Sequence, residues 1–146
     1  MIPRQLIVER AQGWKDTPFR HQGRRKHAAV DCVGLIVGVG YELGVQAPIP
    51  DDYPEHPSPR LILRYADRYL TRVEKDWLAP GCIAFLWGFT PGEMQHMGIV
   101  GQHAGRLTLI HATSKRGKVV EHSWDDFWLR RLVRVYEYPN TEPLEG

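Results

Sequence analysis

The chain segregates its hydrophobic periods. Helical spacing fills the first half and short strand-like runs fill the second, so the fold must combine a helical layer with a separate sheet. Pro3–Trp14 sets Leu6, Ile7, Arg10, Ala11 and Trp14 at helical spacing behind a proline suited to a first turn. From Cys32 the apolar residues Leu35, Ile36, Val39 and Leu43 recur at steps of three and four, with Asp31 placed as N-cap and Gly44 as stop. The β-branched run from Val33 to Gly40 also allows a buried strand. Its length, and the four-residue spacing of Gly34 and Gly38, favour a helix pressed closely on a neighbour. Arg60–Leu70 reads as a further amphipathic helix.

After the Pro80-Gly81 turn come strand-like runs at Cys82–Trp87, His96–Gly101, Arg106–Ala112, Val119–His122 and Leu132–Tyr138, with one or two helical turns within Trp124–Arg130. Strands joined by short turns pair antiparallel. The expected architecture is therefore α+β, with N-terminal helices packed on an antiparallel sheet of about five strands. At 146 residues the chain suits a single domain, 1–146.

With 42% hydrophobic and 25% charged residues it can bury a core, which excludes disordered and fibrous classes. A net charge of +2 gives no basis for nucleic-acid binding, and the trio Arg24, Arg25 and Lys26 reads as a solvated patch. The glycine-broken run Val33–Val39 falls far short of the roughly 20 residues of a membrane span. Two cysteines and no apolar leader predict free thiols and synthesis in a reducing cytoplasm. Thr17–His27 reads as a loop of a length often functional, and Pro48–Pro59, with five prolines, as a surface excursion.

Cys32 heads its helix, where unpaired N–H groups and the helix dipole are expected to lower the thiol pKa. Simple burial of a small apolar side chain is the alternative. If Gln102–Gly105 forms a four-residue hairpin loop, His96 lies directly opposite His111 and both imidazoles share one face. A slip of one residue would separate them. Cysteine, base and a group orienting the base are the parts of a thiol triad. Zinc is the weaker reading, because the sequence holds no paired Cys or His spacing typical of metal sites. Cys82 reads as a buried strand residue. His21, His27, His56, His103 and His122 read as surface histidines, with His21 and His27 as subsidiary substrate-site candidates because their loop leads into Cys32.

Thr17-Pro-Phe-Arg-His-Gln-Gly23, Asp31-Cys-Val-Gly-Leu35, Pro80-Gly81, His96-Met-Gly-Ile-Val100 and Leu109-Ile-His-Ala112 together resemble the NlpC-type cell-wall cysteine peptidases, most closely their phage and gene-transfer-agent tail branch. The resemblance spans nearly the whole chain. It implies a papain-like core, with Cys32 as nucleophile, His96 as general base and His111 as the orienting group. It further implies no cofactor or metal, hydrolysis of peptidoglycan stem peptides such as γ-D-glutamyl–diamino acid bonds, and carriage in a phage-like tail among tail proteins. Asp31 matches a residue associated with holding the free amine of the stem peptide. Phe19 stands where many members carry Tyr and Val33 where Ser is common, both on the substrate side, and Cys82 replaces part of a usual Gly-Asp pair. The rival readings are a catalytically silent cell-wall-binding tail component and a thiol amidase or acyltransferase.

Overall fold

The computed structural model describes residues 1–144; the last two residues of the expected 1–146 domain lie outside them. Its helices are α1 (Arg4–Gln12), α2 (Cys32–Glu42), α3 (Pro59–Tyr69) and the short α4 (Asp126–Leu129). The strands are β1 (Arg24–Arg25), β2 (Ala29–Val30), β3 (Thr71–Val73), β4 (Ile83–Leu86), β5 (His96–His103), β6 (Arg106–Thr113), β7 (Lys118–Ser123) and β8 (Leu132–Glu137). All five expected sheet strands form. The sheet has a sixth, β3, which is too short and too polar to stand out in the sequence, and the order is β3-β8-β4-β5-β6-β7, antiparallel throughout.

The run from Val33 resolves as helix. Asp31 caps α2 by accepting the Gly34 N–H at 2.7 Å, and Gly44 follows the helix at φ +81°. The paired glycines do what their spacing predicts. A Cβ on Gly34 would lie 2.0 Å from the Gly23 carbonyl oxygen, and one on Gly38 would lie 2.4 Å from the Trp14 ring. The helix therefore packs tightly against α1 and the segment before it.

Leu35, Ile36 and Val39 of α2 join Ile7 and Ala11 of α1 against Met97, Ile99, Ile110 and Ala112 of the sheet. Burial of each of the leucine, isoleucine, valine and methionine side chains contributes about 1.5–3 kcal/mol. Alternation along the strands sends Val100 and Leu109 to the opposite face, where a second cluster forms with Ala84, Leu86, Val135 and the half-buried Trp124 and Trp128.

Two segments expected to be irregular are ordered by specific bonds. β1, within Thr17–His27, pairs with β2 just beyond it, and the chain before β1 runs along the outer edge of β7: Asp16 N–H donates to Val119 O, Val119 N–H to Thr17 O, and Phe19 N–H to Gly117 O. The Pro48–Pro59 excursion does not simply lie on the surface. Arg24 donates to the carbonyls of Ile49 and Pro50, Gln22 donates to that of Tyr53, and Tyr53 is buried at 8% exposure. Arg24 thus staples this excursion and Lys26 pairs with Glu42, so of the basic trio only the exposed Arg25 matches the solvated patch expected.

Candidate active site

The β5–β6 hairpin differs from its expected register. Its turn is the two-residue Ala104-Gly105, both at positive φ, and His103 pairs with Arg106, Gly101 with Thr108 and Ile99 with Ile110. This slides the pairing by two residues, so Gly98 rather than His96 stands opposite His111. A shift of two preserves the face, because side chains alternate with a period of two. The two histidines therefore still meet, now diagonally, with His96 Nε2 2.7 Å from His111 Nδ1. Gly98 makes the approach feasible: a Cβ there would lie 2.9 Å from His111 Cβ and 2.7 Å from a Leu109 methyl.

His111 is 1% exposed, yet both ring nitrogens are occupied. Its Nε2 lies 2.8 Å from His122 Nε2, and His122 Nδ1 lies 3.0 Å from the Ser123 carbonyl oxygen. His122 is half-buried beneath Trp128, whose ring packs against both His111 and His122. Its assignment as a surface histidine is therefore overturned. β7 pairs His122 with Leu109 and Val120 with His111, on the face that His111 occupies. The four residues Ser114–Gly117 between β6 and β7 carried this register signal in the sequence.

Burial pushes the His111 imidazole down to about 2, helped by the neighbouring His96 and His122 rings, and pushes His96 down to about 4. Both rings are neutral near pH 7.

Cys32 is half-buried at the start of α2, close to the first residues of β5. Its thiol is not lowered as the helix-dipole argument expects. Burial, and then the adjacent Asp31 carboxylate, push it up to about 12, against the opposing pull of the backbone amides of Val33, Met97 and Cys32. Among the described residues no hydrogen bond joins Cys32 to His96, and His96 Nδ1 has no partner. In the first turn of α2, Asp31 Oδ1 takes the Gly34 N–H and the Asp31 carbonyl takes that of Leu35. The N–H groups of Cys32 and Val33 have no backbone oxygen acceptor among the described residues and lie beside the thiol on which they pull.

Asp31 is 4% exposed and its carboxylate is already engaged. Oδ2 accepts the Gln22 N–H at 2.7 Å and the Tyr53 hydroxyl at 2.6 Å, with His21 Nδ1 4.0 Å away. Tyr53 was not legible as a site residue, since a tyrosine between prolines carries no pattern. Burial and the Asp31 charge hold its phenol protonated, so it donates. Val33 lines an apolar groove between α2 and α3 together with Ile36, Tyr53, Tyr65 and Phe85. Phe19 is half-buried on the segment bridged to Val30, two residues before Cys32. His27 lies on the exposed tip between β1 and β2 at φ +67°, and only its backbone N–H is engaged, by Thr17. Cys82 is fully buried, as expected, with Arg4, Glu137 and the Trp77 carbonyl around its sulfur. Among the described residues no group of three or more His, Cys, Asp or Glu side chains converges as a metal ligand set.

No family model matches the chain, and no curated protein matches it by sequence. Solved structures do match. An NlpC/P60 family protein from Bacillus cereus superposes with a TM-score of 0.68 at 16% identity, over 92% of this chain and 40% of that one. The NlpC/p60 domain of the peptidoglycan hydrolase SagA gives 0.58 at 21% identity, over 82% and 88%. An N-acetylmuramoyl-L-alanine amidase from Bacteroides uniformis gives 0.61 at 16% identity, over 94% and 99%. The chain thus spans well under half of the Bacillus cereus protein. The likeness is one of fold: the α+β architecture is that of the NlpC/P60 papain-like proteins.

Proposed function

We propose that the protein is a cell-wall hydrolase of the thiol type, cleaving peptide bonds in peptidoglycan stem peptides through a thioester. One observation carries this reading. A cysteine at a helix start with two free N–H groups adjoins a strand whose histidine is tied by Nε2 to a buried second histidine, leaving Nδ1 open. The fold shared with peptidoglycan hydrolases supports the choice of substrate.

In this reading Cys32 Sγ attacks the scissile carbonyl as His96 Nδ1 takes the thiol proton. The elevated thiol and depressed imidazole fit a neutral pair that transfers its proton during attack rather than a standing ion pair. The N–H groups of Cys32 and Val33 stabilise the developing oxyanion. The leaving amine departs with the proton from His96. Water, deprotonated by His96, then opens the thioester to release a carboxylate and restore the thiol. His111 orients His96. Asp31, which accepts from Gly34, Gln22 and Tyr53, fixes the wall beside the nucleophile. Phe19 and Val33 belong to the substrate side.

The bond cleaved is γ-D-glutamyl–diamino acid. A second reading, scission between the muramoyl group and L-alanine, is favoured by the full-length fold match to the amidase. Delivery through a phage-like tail rests on the sequence resemblance alone. Mass spectrometry of purified stem peptides and whole muropeptides, after incubation with wild type and Cys32→Ala, tests these readings together. Products from wild type alone establish the hydrolase and identify the bond. Products incorporating an added amine would indicate an acyltransferase, and binding without cleavage would indicate the silent tail component.

A further inference from the structure

We propose that His122, anchored on the Ser123 carbonyl, is a positioning residue that acts through His111 to select the tautomer of His96 whose lone pair falls on Nδ1, the ring nitrogen that no other side chain takes.

The assignment follows from donor and acceptor accounting along three contacts. A carbonyl oxygen only accepts, so the 3.0 Å contact to Ser123 requires a proton on His122 Nδ1. With that one proton on Nδ1, the His122 ring presents a lone pair at Nε2. The facing His111 Nε2, at 2.8 Å, must carry the proton, which leaves His111 Nδ1 as an acceptor. His96 Nε2, 2.7 Å from that nitrogen, must in turn be protonated, and the lone pair of His96 falls on Nδ1. Each ring is fixed by the one outside it, and the series ends on a group that cannot reverse polarity. Had the chain stopped at His111, the reversed arrangement, with His111 Nδ1–H donating to His96 Nε2, would be equally satisfied within the pair. His96 would then carry its proton on Nδ1 and be unable to accept one from a thiol. An imidazole held in the wrong tautomer is disabled as a base even when its geometry is intact.

The surroundings fit this role. His111 is almost wholly buried, so water cannot substitute for either neighbour. Trp128 of α4 packs edge-on to His111 at 4.9 Å between centroids and lies tilted over His122 at 5.2 Å, covering the contact between them. The anchoring carbonyl belongs to the residue after His122 on β7, so the strand holds both in one geometry.

This inference rests on the reading of His96 as the base, and its test is separable from that reading. The imidazole nitrogens of the whole protein, labelled with ¹⁵N, report each tautomer by chemical shift at pH 7.5. Wild type is expected to show protonated Nε2 and bare Nδ1 for His96 and His111, and the reverse for His122. A wild-type His96 protonated on Nδ1 overturns the proposal whether or not any peptide is cleaved.

The variants His122→Phe, which keeps a ring without an acceptor, and His122→Gln, which can accept from His111 while donating to Ser123, supply the second arm. On stem peptides, His122→Phe should lower kcat about tenfold or more with KM within about twofold and mix the His96 tautomers, and His122→Gln should recover most of the loss. Alkylation of Cys32 by iodoacetamide, located by peptide mapping, should fall and recover in parallel without any peptide substrate. Wild-type kcat, alkylation rate and ¹⁵N shifts in His122→Phe would overturn the proposal. Absence of cleavage by wild type, with the expected tautomers present, would overturn the peptidase reading and leave the relay standing.

Discussion

Acid should destabilise this protein through His111 by an amount the structure defines. An exposed histidine in the unfolded chain titrates near 6.5, whereas burial holds folded His111 near 2. The folded-state value is depressed, so the unfolded state binds more protons at every pH between the two. Stability is full above about pH 6.5 and falls as pH drops, by about 1.4 kcal/mol per pH unit once below it. From pH 7 to pH 5 this amounts to ~2 kcal/mol from His111 alone, or roughly 4–8 °C in Tm for a domain of this size. Urea denaturation of wild type and His111→Gln at both pH values, at fixed ionic strength, isolates the contribution. Glutamine can retain hydrogen bonds at this position but does not titrate. The variant is therefore expected to lose ~2 kcal/mol less than wild type over the interval. Equal losses, within about 0.5 kcal/mol, would show that His111 is not a buried neutral imidazole and would refute the reasoning.

Cys32→Ala should abolish stem-peptide cleavage while leaving the far-UV spectrum and urea midpoint near wild type, because it removes one half-buried atom at a helix start. With its thiol held near 12, Cys32 should be alkylated slowly at pH 7 and progressively faster up to pH 10, and a rate already level by pH 8 would contradict that elevation. Tyr53→Phe removes a hydrogen bond to a buried carboxylate and should cost about 1.5–3 kcal/mol in urea unfolding, with a loss below ~0.5 kcal/mol counting against the Asp31 network. Gly34→Ala forces a methyl against the Gly23 carbonyl and should cost about 1–3 kcal/mol or more, with increased proteolytic cleavage between Gly23 and Val30 as the check.

The helices were legible because their signals are local. Asp31 with Gly34, and Gly44 after Leu43, delimit α2 in residues adjacent in the chain, and the Gly34–Gly38 spacing announced close packing. The meeting of His96 and His111 was legible for a weaker reason. The expected loop was two residues too long, but an even error keeps both side chains on one face. The same counting applied to Ser114–Gly117 would have placed His122 beside them. Tyr53 and Arg24 were not legible, since what joins them to Asp31 and to the excursion is a set of side-chain bonds spanning some 20 to 25 residues, with no periodic trace in the sequence. The thiol was misjudged because burial, the larger cause of its elevation, comes from the packed site, and because the adjacent Asp31 was read only as a cap and not as a charge opposing the helix dipole.

The bonds from Asp16 to Phe19 along β7 bear on how copies of this chain meet one another. A six-stranded sheet offers two borders at which a second molecule could add its own strand and begin an aggregate. Here one border is the three-residue β3, and the other is occupied by the molecule's own backbone through Asp16, Thr17 and Phe19. The residues that lead the chain towards Cys32 also shield that border. Loosening them would therefore expose an adhesive strand at the moment it disorders the approach to Cys32, so loss of the proposed activity and onset of fibrillar association should arrive together.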